Sequence, residues 1–265
     1  NYMIFLQHEK GWDNMLTKTR QKEILKLLEN RGSVTLQELK DHLNTSESTI
    51  RRDLNTLDAQ GKLIKVFGGA VAADNMSIRD EQVSRREEKN LEEKRLIARY
   101  AASLIQDDDF VYLDAGTTTG CMLDYISDAT TAVFVTNAPS HAQKLARKGM
   151  EVILIGGRLK QSTEAVVGEE ACRQIEKFNF SLGFLGSNGV SERSGFSTPD
   201  QDEAMVKKRA IERIHRCFVL CDHTKFYKVS PISFAKLEDA VVLTDSAPQG
   251  NFQEMPNIVE ISEDE

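Results

Sequence analysis

The sequence predicts an α/β protein of two domains: a small N-terminal domain of three helices and a β-hairpin, and a larger C-terminal domain built on a parallel sheet. Two observations predict this organisation. Residues 33–71, SVTLQELKDHLNTSESTIRRDLNTLDAQGKLIKVFGGAV, contain signals for two short helices, a tight join and a hairpin. From residue 110 onward, short apolar runs alternate with helical or loop stretches, which indicates a parallel sheet covered on both faces.

The ends of the first three helices are marked by local signals. Apolar residues at helical spacing predict the first helix over about residues 17–29. Thr35 is predicted to cap the second helix, with Glu38 completing a capping box. Ser46 is predicted to cap the third helix, which Gly61 ends. The three helices with the short join between the second and third form a helix-turn-helix pattern.

The third predicted helix carries the pattern of a DNA-reading helix. Ile50, Leu54 and Leu57 recur at i, i+4 and i+7 and are expected to face the core. In a helix-turn-helix, the N-terminal half of the second motif helix meets base edges, where Arg bonds guanine and Asn reads adenine. The residues predicted to contact double-stranded DNA from this helix and its cap are Ser46, Ser48, Thr49, Arg51, Arg52 and Asn55.

The hairpin after this helix is predicted to form a wing that also contacts DNA. Lys65 supplies positive charge, and Gly68 and Gly69 permit close approach to a backbone. The alternative for the two helix arginines is a pair of solvated charges, but the caps, the spacing and the wing together favour the DNA interpretation. Asp53 is expected to be a structural ion-pair partner, because an acid that faces phosphate repels it.

The charge distribution supports this interpretation of the N-terminal domain. The whole chain carries a formal charge of −7, which by itself argues against a nucleic-acid partner. Residues 15–73 carry +3, however, and residues 74–265 carry −9. A charge of +3 is modest, so one copy is expected to bind DNA weakly. This favours a homo-oligomer, a dimer or a tetramer, that binds repeated half-sites.

Other features of the composition exclude several classes of protein. The four cysteines form no CxxC pair and no His cluster accompanies them, so neither a metal site nor a cofactor is predicted, and reduced thiols in a cytoplasm are expected. No apolar run approaches the roughly 18 residues of a membrane span. Residues 1–14 lack a signal-peptide pattern and are expected to be an extension ahead of Met15 without an assigned function.

Composition also sets the expected domain limits. Residues 15–72 are predicted to form the DNA-binding domain, residues 73–90 a charged linker, and residues 91–262 the second domain. The chain becomes helical from about Arg85. The acidic residues 107–109 are interpreted as a solvated turn rather than a cation site, because no other ligands stand at suitable spacing.

Polar residues follow four of the predicted strands of the second domain. Ligands of open α/β sheets bind beyond the carboxyl ends of the strands, so these residues are expected to converge. Three hydroxyls and backbone N–H groups at a helix start suit a phosphate or a polyol, although the loop lacks the GK[ST] of a Walker A sequence. The candidates are Asp114, Gly116, Thr117, Thr118, Thr119, Thr136, Asn137, Gly156, Gly157, Arg158, Asp222 and Lys225.

A further candidate is the helix that is predicted to begin after Thr198. Thr198 is expected to be its N-cap, and Pro199 its first residue. Glu203 and Lys207 stand at i and i+4. They either pair with each other or belong to the ligand site, where Lys207 or Lys208 would attract a sugar phosphate. Both interpretations stay open, and both residues are candidates.

The chain resembles the DeoR family of bacterial transcriptional regulators. The run STIRRDLNTLDAQGKLIKVFGGAV looks like the recognition helix and wing of that family, and the resemblance covers about residues 17–247. The second domain is similar to the sensor domain of the family and to sugar-phosphate isomerases such as ribose-5-phosphate isomerase. The matching positions include Gly168 and Glu169 beside the candidates above. The resemblance implies a phosphorylated sugar that is bound without turnover.

More narrowly, the runs ESTIRRDL, TEAVVGEEA and SGFSTPDQDEA look like regulators of fructose or lactose/tagatose uptake operons. This implies a repressor released by fructose 1-phosphate, with tagatose 6-phosphate as the next choice of inducer. An activator of the same architecture is an alternative. So is a sugar-phosphate isomerase with an added DNA-binding module, in which Asp222 or Glu203 could move protons.

Overall fold

Three helices and a three-stranded sheet form the N-terminal unit in the computed structural model of the chain. The structure describes residues 17–31, 33–66, 68–72, 82–248 and 251–262. The predicted extension at 1–14 and most of the predicted linker lie outside these residues. By contacts, the described residues up to 72 form one unit, and those of 82–248 and 252–262 form another.

The N-terminal unit has the predicted helices and one more strand than predicted. Its strands pair antiparallel in the order β1-β3-β2. The first strand is three residues long, too short to show a periodicity in the sequence. In chain order the elements are α1 (Thr17–Arg31), β1 (Ser33–Thr35), α2 (Leu36–Leu43), α3 (Glu47–Ala59), β2 (Leu63–Val66) and β3 (Gly69–Ala72).

The predicted N-caps of α2 and α3 are confirmed. The Thr35 backbone N–H donates to Glu38 Oε2 at 2.7 Å, and the Glu38 N–H donates to Thr35 Oγ1 at 3.1 Å, which completes the capping box. Ser46 Oγ accepts from the Thr49 N–H at 3.3 Å at the start of α3. Gly61, with a φ of +67°, follows the end of that helix. These side-chain contacts fix where each helix begins.

The core of the N-terminal unit includes the predicted face of α3. Ile50, Leu54 and Leu57 are at most 1% exposed. The same helix also buries a carboxylate, because Asp53 is 2% exposed and pairs with Arg20 of α1 at 2.5 Å. The prediction that Asp53 is a structural ion-pair partner is therefore confirmed.

The second unit alternates strands and helices as predicted. Its elements from 83 to 175 are α4 (Val83–Glu88), α5 (Leu91–Ser103), β4 (Phe110–Leu113), α6 (Thr117–Met122), β5 (Val133–Thr136), α7 (Pro139–Arg147), β6 (Val152–Leu154), β7 (Arg158–Leu159), β8 (Val166–Val167) and α8 (Glu169–Ile175). Those that follow are β9 (Phe180–Gly186), β10 (Gly189–Ser191), β11 (Gly195–Thr198), α9 (Gln201–Ile211), β12 (Ile214–Leu220), β13 (Ile232–Ala235), β14 (Val241–Thr244), α10 (Asn251–Glu254) and β15 (Ile258–Glu260).

Seven of these strands form one parallel sheet in the order β15-β14-β12-β9-β4-β5-β6. Apolar clusters cover both faces. Tyr112 of β4 belongs to one cluster, and its neighbours Val111 and Leu113 belong to the other. Because all seven strands run the same way, their carboxyl ends share one edge of the sheet, where the polar residues that follow β4, β5 and β12 lie.

The predicted start of the helix after Thr198 is wrong. Thr198 is the last residue of β11, where it pairs with Ile232 of β13. The helix α9 begins at Gln201, and Asp200 caps it by accepting the Glu203 N–H at 2.9 Å. Strand pairing with a distant segment therefore overrides the local Thr-Pro signal, and the next carboxylate takes over the capping.

Candidate nucleic-acid interface and ligand site

The outer surface of α3 presents polar side chains, as predicted. The predicted contact residues lie exposed or half-exposed on the side opposite the apolar face. They are Ser46, Ser48, Thr49, Arg51, Arg52 and Asn55. A helix that buries three apolar residues and exposes these six polar groups, four of them in its first half and one at its cap, has the form that enters a major groove.

The two arginines of this surface differ in their contacts. Arg51 pairs with Glu47 one turn earlier at 2.7 Å, so its charge is partly neutralised. Arg52 is exposed, and its guanidinium makes no ion pair with the residues that the structure describes. Asn55 Oδ1 accepts from Lys65 Nζ of the wing at 2.7 Å, which links the helix to the hairpin. Arg52 is therefore the more available of the two cations for a phosphate or a guanine edge.

The two wing glycines occupy different environments. Gly68 has a φ of +81°, a left-handed conformation that favours glycine. Gly69 is buried, and a Cβ on it would lie 2.1 Å from the backbone oxygen of Val34 in β1. Gly69 thus lies close to the backbone of its own domain. This contact explains why the position requires glycine, and no contact with DNA is needed to account for it.

We expect Arg52→Ala to weaken binding to operator DNA by about 1–3 kcal/mol if the side chain reads a base. The measurement is a titration of the full chain with operator DNA and with random duplex at one salt concentration. Arg51→Ala is the matched control and should cost less, because Glu47 already pairs with Arg51. An equal loss on both duplexes would make Arg52 a phosphate contact instead.

A cavity of about 150 Å³ lies at the carboxyl edge of the parallel sheet. Its wall contains residues that follow β4, β5 and β12 and the last residue of β9. These four strands are adjacent in the sheet. Nine predicted ligand residues line it: Asp114, Gly116, Thr117, Thr118, Asn137, Glu203, Lys207, Asp222 and Lys225. The fold therefore brings most of the candidates into one place.

The hydroxyls of two candidate threonines form hydrogen bonds with the backbone, and these residues do not line the cavity. Thr119 is fully buried, and its Oγ1 donates to the Asp114 backbone oxygen at 2.7 Å. Thr136 is also fully buried; its Oγ1 donates to the Leu113 backbone oxygen at 2.7 Å and accepts the Ala138 N–H at 3.1 Å. Both hydroxyls fold the chain as it leaves a strand, so they shape the loops that form the cavity.

The candidates after β6 do not reach the cavity. Gly156, Gly157 and Arg158 are exposed, and the strand before them is the edge strand of the sheet. The Gly156 N–H donates to a glutamine side chain of α8, and Arg158 pairs with Asp202 of α9. Because β6 lies one strand further out than β5, the residues that follow it are too far away to line the cavity. The expected convergence of the candidates therefore fails at the end of β6.

The structure decides between the two interpretations of Glu203 and Lys207. They do not pair with each other. Lys207 Nζ pairs with Asp114 and donates to the Gly186 backbone oxygen at 3.0 Å, and the Lys207 and Asp114 side chains are 8% and 3% exposed. Glu203 instead contacts Thr163 and lies 3.2 Å from Lys160 Nζ. Each residue thus forms its own buried contact at the cavity wall.

Asp222 is held as a carboxylate on the other side of the cavity. Its Oδ1 accepts from Asn90 Nδ2 and from the Thr224 N–H, both at 3.0 Å. Burial raises the pKa of Asp222, but Lys225 and the hydrogen bonds from Thr224 and Asn90 outweigh it, so the pKa lies below its ordinary value. The group accepts hydrogen bonds near neutral pH and is not placed as an acid.

Four cations of the cavity wall were missed in the sequence. Arg86, Lys89, Lys94 and Lys228 line it together with Lys207 and Lys225, so that six cations face three acids. The break between α4 and α5 brings the first three there, because Asn90 adopts a left-handed φ of 50° between the helices. Most of this segment belongs to the linker that was predicted at residues 73–90.

The position of Lys94 on the apolar face of α5 is a feature of the sequence from which its burial could have been predicted. It lies on the buried face of α5, three residues before Ile97, and it is 4% exposed. Burial lowers its pKa, and Asp222 opposes that shift. Its Nζ donates to the Arg86 backbone oxygen. A lysine on the apolar stripe of a helix must find a partner, so it predicts a buried anion or carbonyl nearby.

Arg86 differs from the other cations because its head group is incompletely paired. Its Nε and Nη2 atoms are buried and have no hydrogen-bond partner among the described residues. An unsatisfied buried donor costs about 1–3 kcal/mol, and such donors are usually satisfied by something. The wall of the cavity is thus incomplete without a hydrogen-bond acceptor beside Arg86.

Comparison with known proteins decides the family. Residues 20–76 match the family described as DeoR-like helix-turn-helix domain, and residues 89–246 match the DeoR C terminal sensor domain. The chain belongs to the DeoR family. This confirms the resemblance seen in the sequence, and with it a winged helix-turn-helix joined to an α/β sensor domain.

Curated relatives match the DeoR-family chain over most of its length. It is 40% identical over 243 residues to the protein named "Uncharacterized HTH-type transcriptional regulator FruR" of Bacillus subtilis (strain 168), over 91% of this chain and 96% of that protein. It is 33% identical to the lactose phosphotransferase system repressor of Staphylococcus aureus (strain MRSA252), over 91% and 97% of the two chains. The DeoR-family chain is a transcriptional regulator and not an enzyme.

Solved structures give a weaker likeness. The ribose 5-phosphate isomerase A of Methanocaldococcus jannaschii is 14% identical, with a TM-score of 0.40, over 53% of this DeoR-family chain and 56% of that one. Within the described residues, no group of His, Cys, Asp or Glu is arranged to hold a metal ion. Nor does that part of the chain contain a helix long and apolar enough to cross a membrane.

Proposed function

We propose that the chain is a DNA-binding repressor of an operon for sugar uptake or catabolism, and that a phosphorylated sugar releases it from the operator. One observation supports the ligand most directly. Among the described residues, the cavity wall carries six cations against three acids, and two buried donor atoms of Arg86 have no hydrogen-bond partner. A phosphoryl group supplies the charge and the acceptors that such a wall lacks.

The names of two relatives support the choice of operon. One is called FruR and another is a lactose phosphotransferase system repressor. Fructose 1-phosphate is the first candidate for the inducer and tagatose 6-phosphate the second. The ranking rests on the resemblance of short sequence runs, because few contacts decide which sugar fits.

Release requires that the ligand bind one state of the protein more tightly than the other. A ligand that binds the free form and the DNA-bound form equally well shifts nothing, however tight it is. A coupling of about 1–3 kcal/mol is typical and would lower operator affinity about 5- to 150-fold. The chain is proposed to act in the cytoplasm as a homo-oligomer, because one domain of charge +3 makes few phosphate contacts.

The first test is thermal unfolding of the full chain with a panel of phosphorylated sugars. Stabilisation follows RT ln(1 + [L]/Kd), which is about 2.7 kcal/mol at a hundred times Kd. We expect one sugar phosphate to stabilise the chain and Thr118→Ala to reduce the effect, since Thr118 lines the cavity. Thr131→Ala, an exposed threonine outside the cavity, is the control.

The same ligand should also release operator DNA from the unaltered chain. A ligand that stabilises the chain but leaves operator binding unchanged would contradict the proposed release. Absence of a shift with every sugar phosphate would remove the proposed inducer class, while the DNA-binding assignment would stand. Transcription from an operator template with and without the ligand separates a repressor from an activator.

A further inference from the structure

A second cavity of about 270 Å³ lies beside the first one. The two share a wall, which is formed by Arg86, Thr163 and residues 115–117. Sites for small molecules commonly occupy about 300–1,000 Å³. The first cavity alone falls below that range, and the two together fall within it. Because the two cavities are adjacent at these shared residues, a ligand larger than a phosphate group has room to extend from the first cavity towards the second.

The two cavities differ in charge. Apart from Arg86, which they share, the described residues that line the second cavity include one cation, Lys144, and three acids, Glu87, Asp124 and Glu164. Lys144 pairs with Asp124 at 2.7 Å, which neutralises both. Glu87 and Glu164 remain and give this cavity a negative wall, whereas the wall of the first cavity is positive.

Two polar residues that line the second cavity carry no charge near neutral pH. His141 is 8% exposed, and burial lowers its pKa to about 4, so the imidazole is neutral near pH 7. Its Nδ1 has no hydrogen-bond partner among the described residues. Ser140 also lines this cavity. A neutral imidazole and a hydroxyl bond to hydroxyl groups, and neither can neutralise a phosphate.

We propose that the sensor binds sugar monophosphates and rejects bisphosphates, with the phosphate in the first cavity and the uncharged hydroxyl-bearing end of the sugar in the second. This inference rests on the proposed function and specifies its ligand class. Of the described residues, a second phosphate would face Glu87 and Glu164, and the one additional cation that they provide, Lys144, is already paired with Asp124. Like charges within a few ångströms repel, and the repulsion weakens with salt.

The test compares the affinity of the full chain for fructose 1-phosphate, fructose 6-phosphate, fructose 1,6-bisphosphate and inorganic phosphate by calorimetry. We expect at least one monophosphate to bind about tenfold or more tightly than the bisphosphate. Inorganic phosphate should bind more weakly than that monophosphate, because it leaves the second cavity empty. Low salt should widen the difference between monophosphate and bisphosphate.

The double substitution Glu87→Gln and Glu164→Gln tests the assigned cause. Both residues are exposed, so the variant should fold. We expect it to narrow the ratio between monophosphate and bisphosphate by about tenfold while the monophosphate affinity changes little. The matched control is Glu151→Gln with Glu170→Gln, two exposed acids that line neither cavity, and it should leave the ratio unchanged.

Two results would overturn this inference and leave the proposed function intact. One is a bisphosphate that binds as tightly as the monophosphates, and the other is a ratio that the double variant does not change. If no sugar phosphate binds at all, the proposed inducer class fails and the inference fails with it, while the DNA-binding assignment stands. The calorimetric series therefore distinguishes the two failures.

Discussion

Asp53→Ala is expected to destabilise the N-terminal domain by about 3–5 kcal/mol, which is the usual cost of removing one partner from a buried ion pair. The carboxylate is 2% exposed and pairs with Arg20, which is 9% exposed, while Gln21 donates to its second oxygen at 3.2 Å. Without it, the buried guanidinium of Arg20 loses this counter-charge. For a domain of about sixty residues, this is a large share of the total stability.

The measurement is urea unfolding of the full chain, with hydrogen exchange to locate the loss within residues 17–72. Glu47→Ala is the control, because Glu47 forms an exposed pair with Arg51 and such helix pairs contribute about 0.3–0.5 kcal/mol. Combining Asp53→Leu with Arg20→Met should recover most of the loss, since both charges are then removed. A single-variant loss no larger than that of the control would refute the structural role of the pair.

Arg86→Met is expected to have opposite effects on stability and on ligand binding. In the free protein it removes two buried donors that have no partner among the described residues, so the free energy of unfolding should rise by about 1–3 kcal/mol. In the ligand complex it removes a cation that both cavities share, so binding should weaken by about 2–5 kcal/mol. The Lys94 contact is to the Arg86 backbone oxygen, so it survives the substitution.

Thermal unfolding with and without a sugar phosphate measures both effects in one experiment. Arg85→Met is the matched control: this neighbouring arginine is exposed and lines neither cavity. It should change neither the free energy of unfolding nor the free energy of ligand binding by more than about 0.5 kcal/mol. A loss of stability in the free Arg86 variant would show that the guanidinium already has a partner. Unchanged ligand affinity would remove Arg86 from the site.

The DNA-binding domain was predictable nearly throughout, because its signals are local. The capping box of Thr35 and Glu38 and the cap at Ser46 act within three residues, and the apolar positions of α3 recur within seven. Local signals of this kind survive folding unchanged. Only the short strand Ser33–Thr35 was missed, because it exists through its pairing with β3 and has no pattern of its own.

The ligand site was predictable in part, because its residues come from distant parts of the chain. The rule that ligands bind at the carboxyl ends of parallel strands selected Asp114, Asn137 and Asp222 correctly as neighbours. It also selected Gly156, which the position of β6 at the sheet edge keeps away. The cations of the segment before Lys94 follow no strand, so the rule passed over them.

By itself, the sequence determined the family, the two kinds of domain, the helix limits at the DNA-reading end and the edge of the sheet where a ligand would bind. Each depends on spacing along the chain. Only the tertiary structure decided that Lys207 pairs with Asp114 rather than Glu203, and that two buried nitrogen atoms of Arg86 have no partner among the described residues. Those outcomes depend on which charges meet in space, and the Lys207–Asp114 pair spans 93 residues of chain. Over such separations, strand order and burial determine contacts, and spacing along the chain carries no information about them.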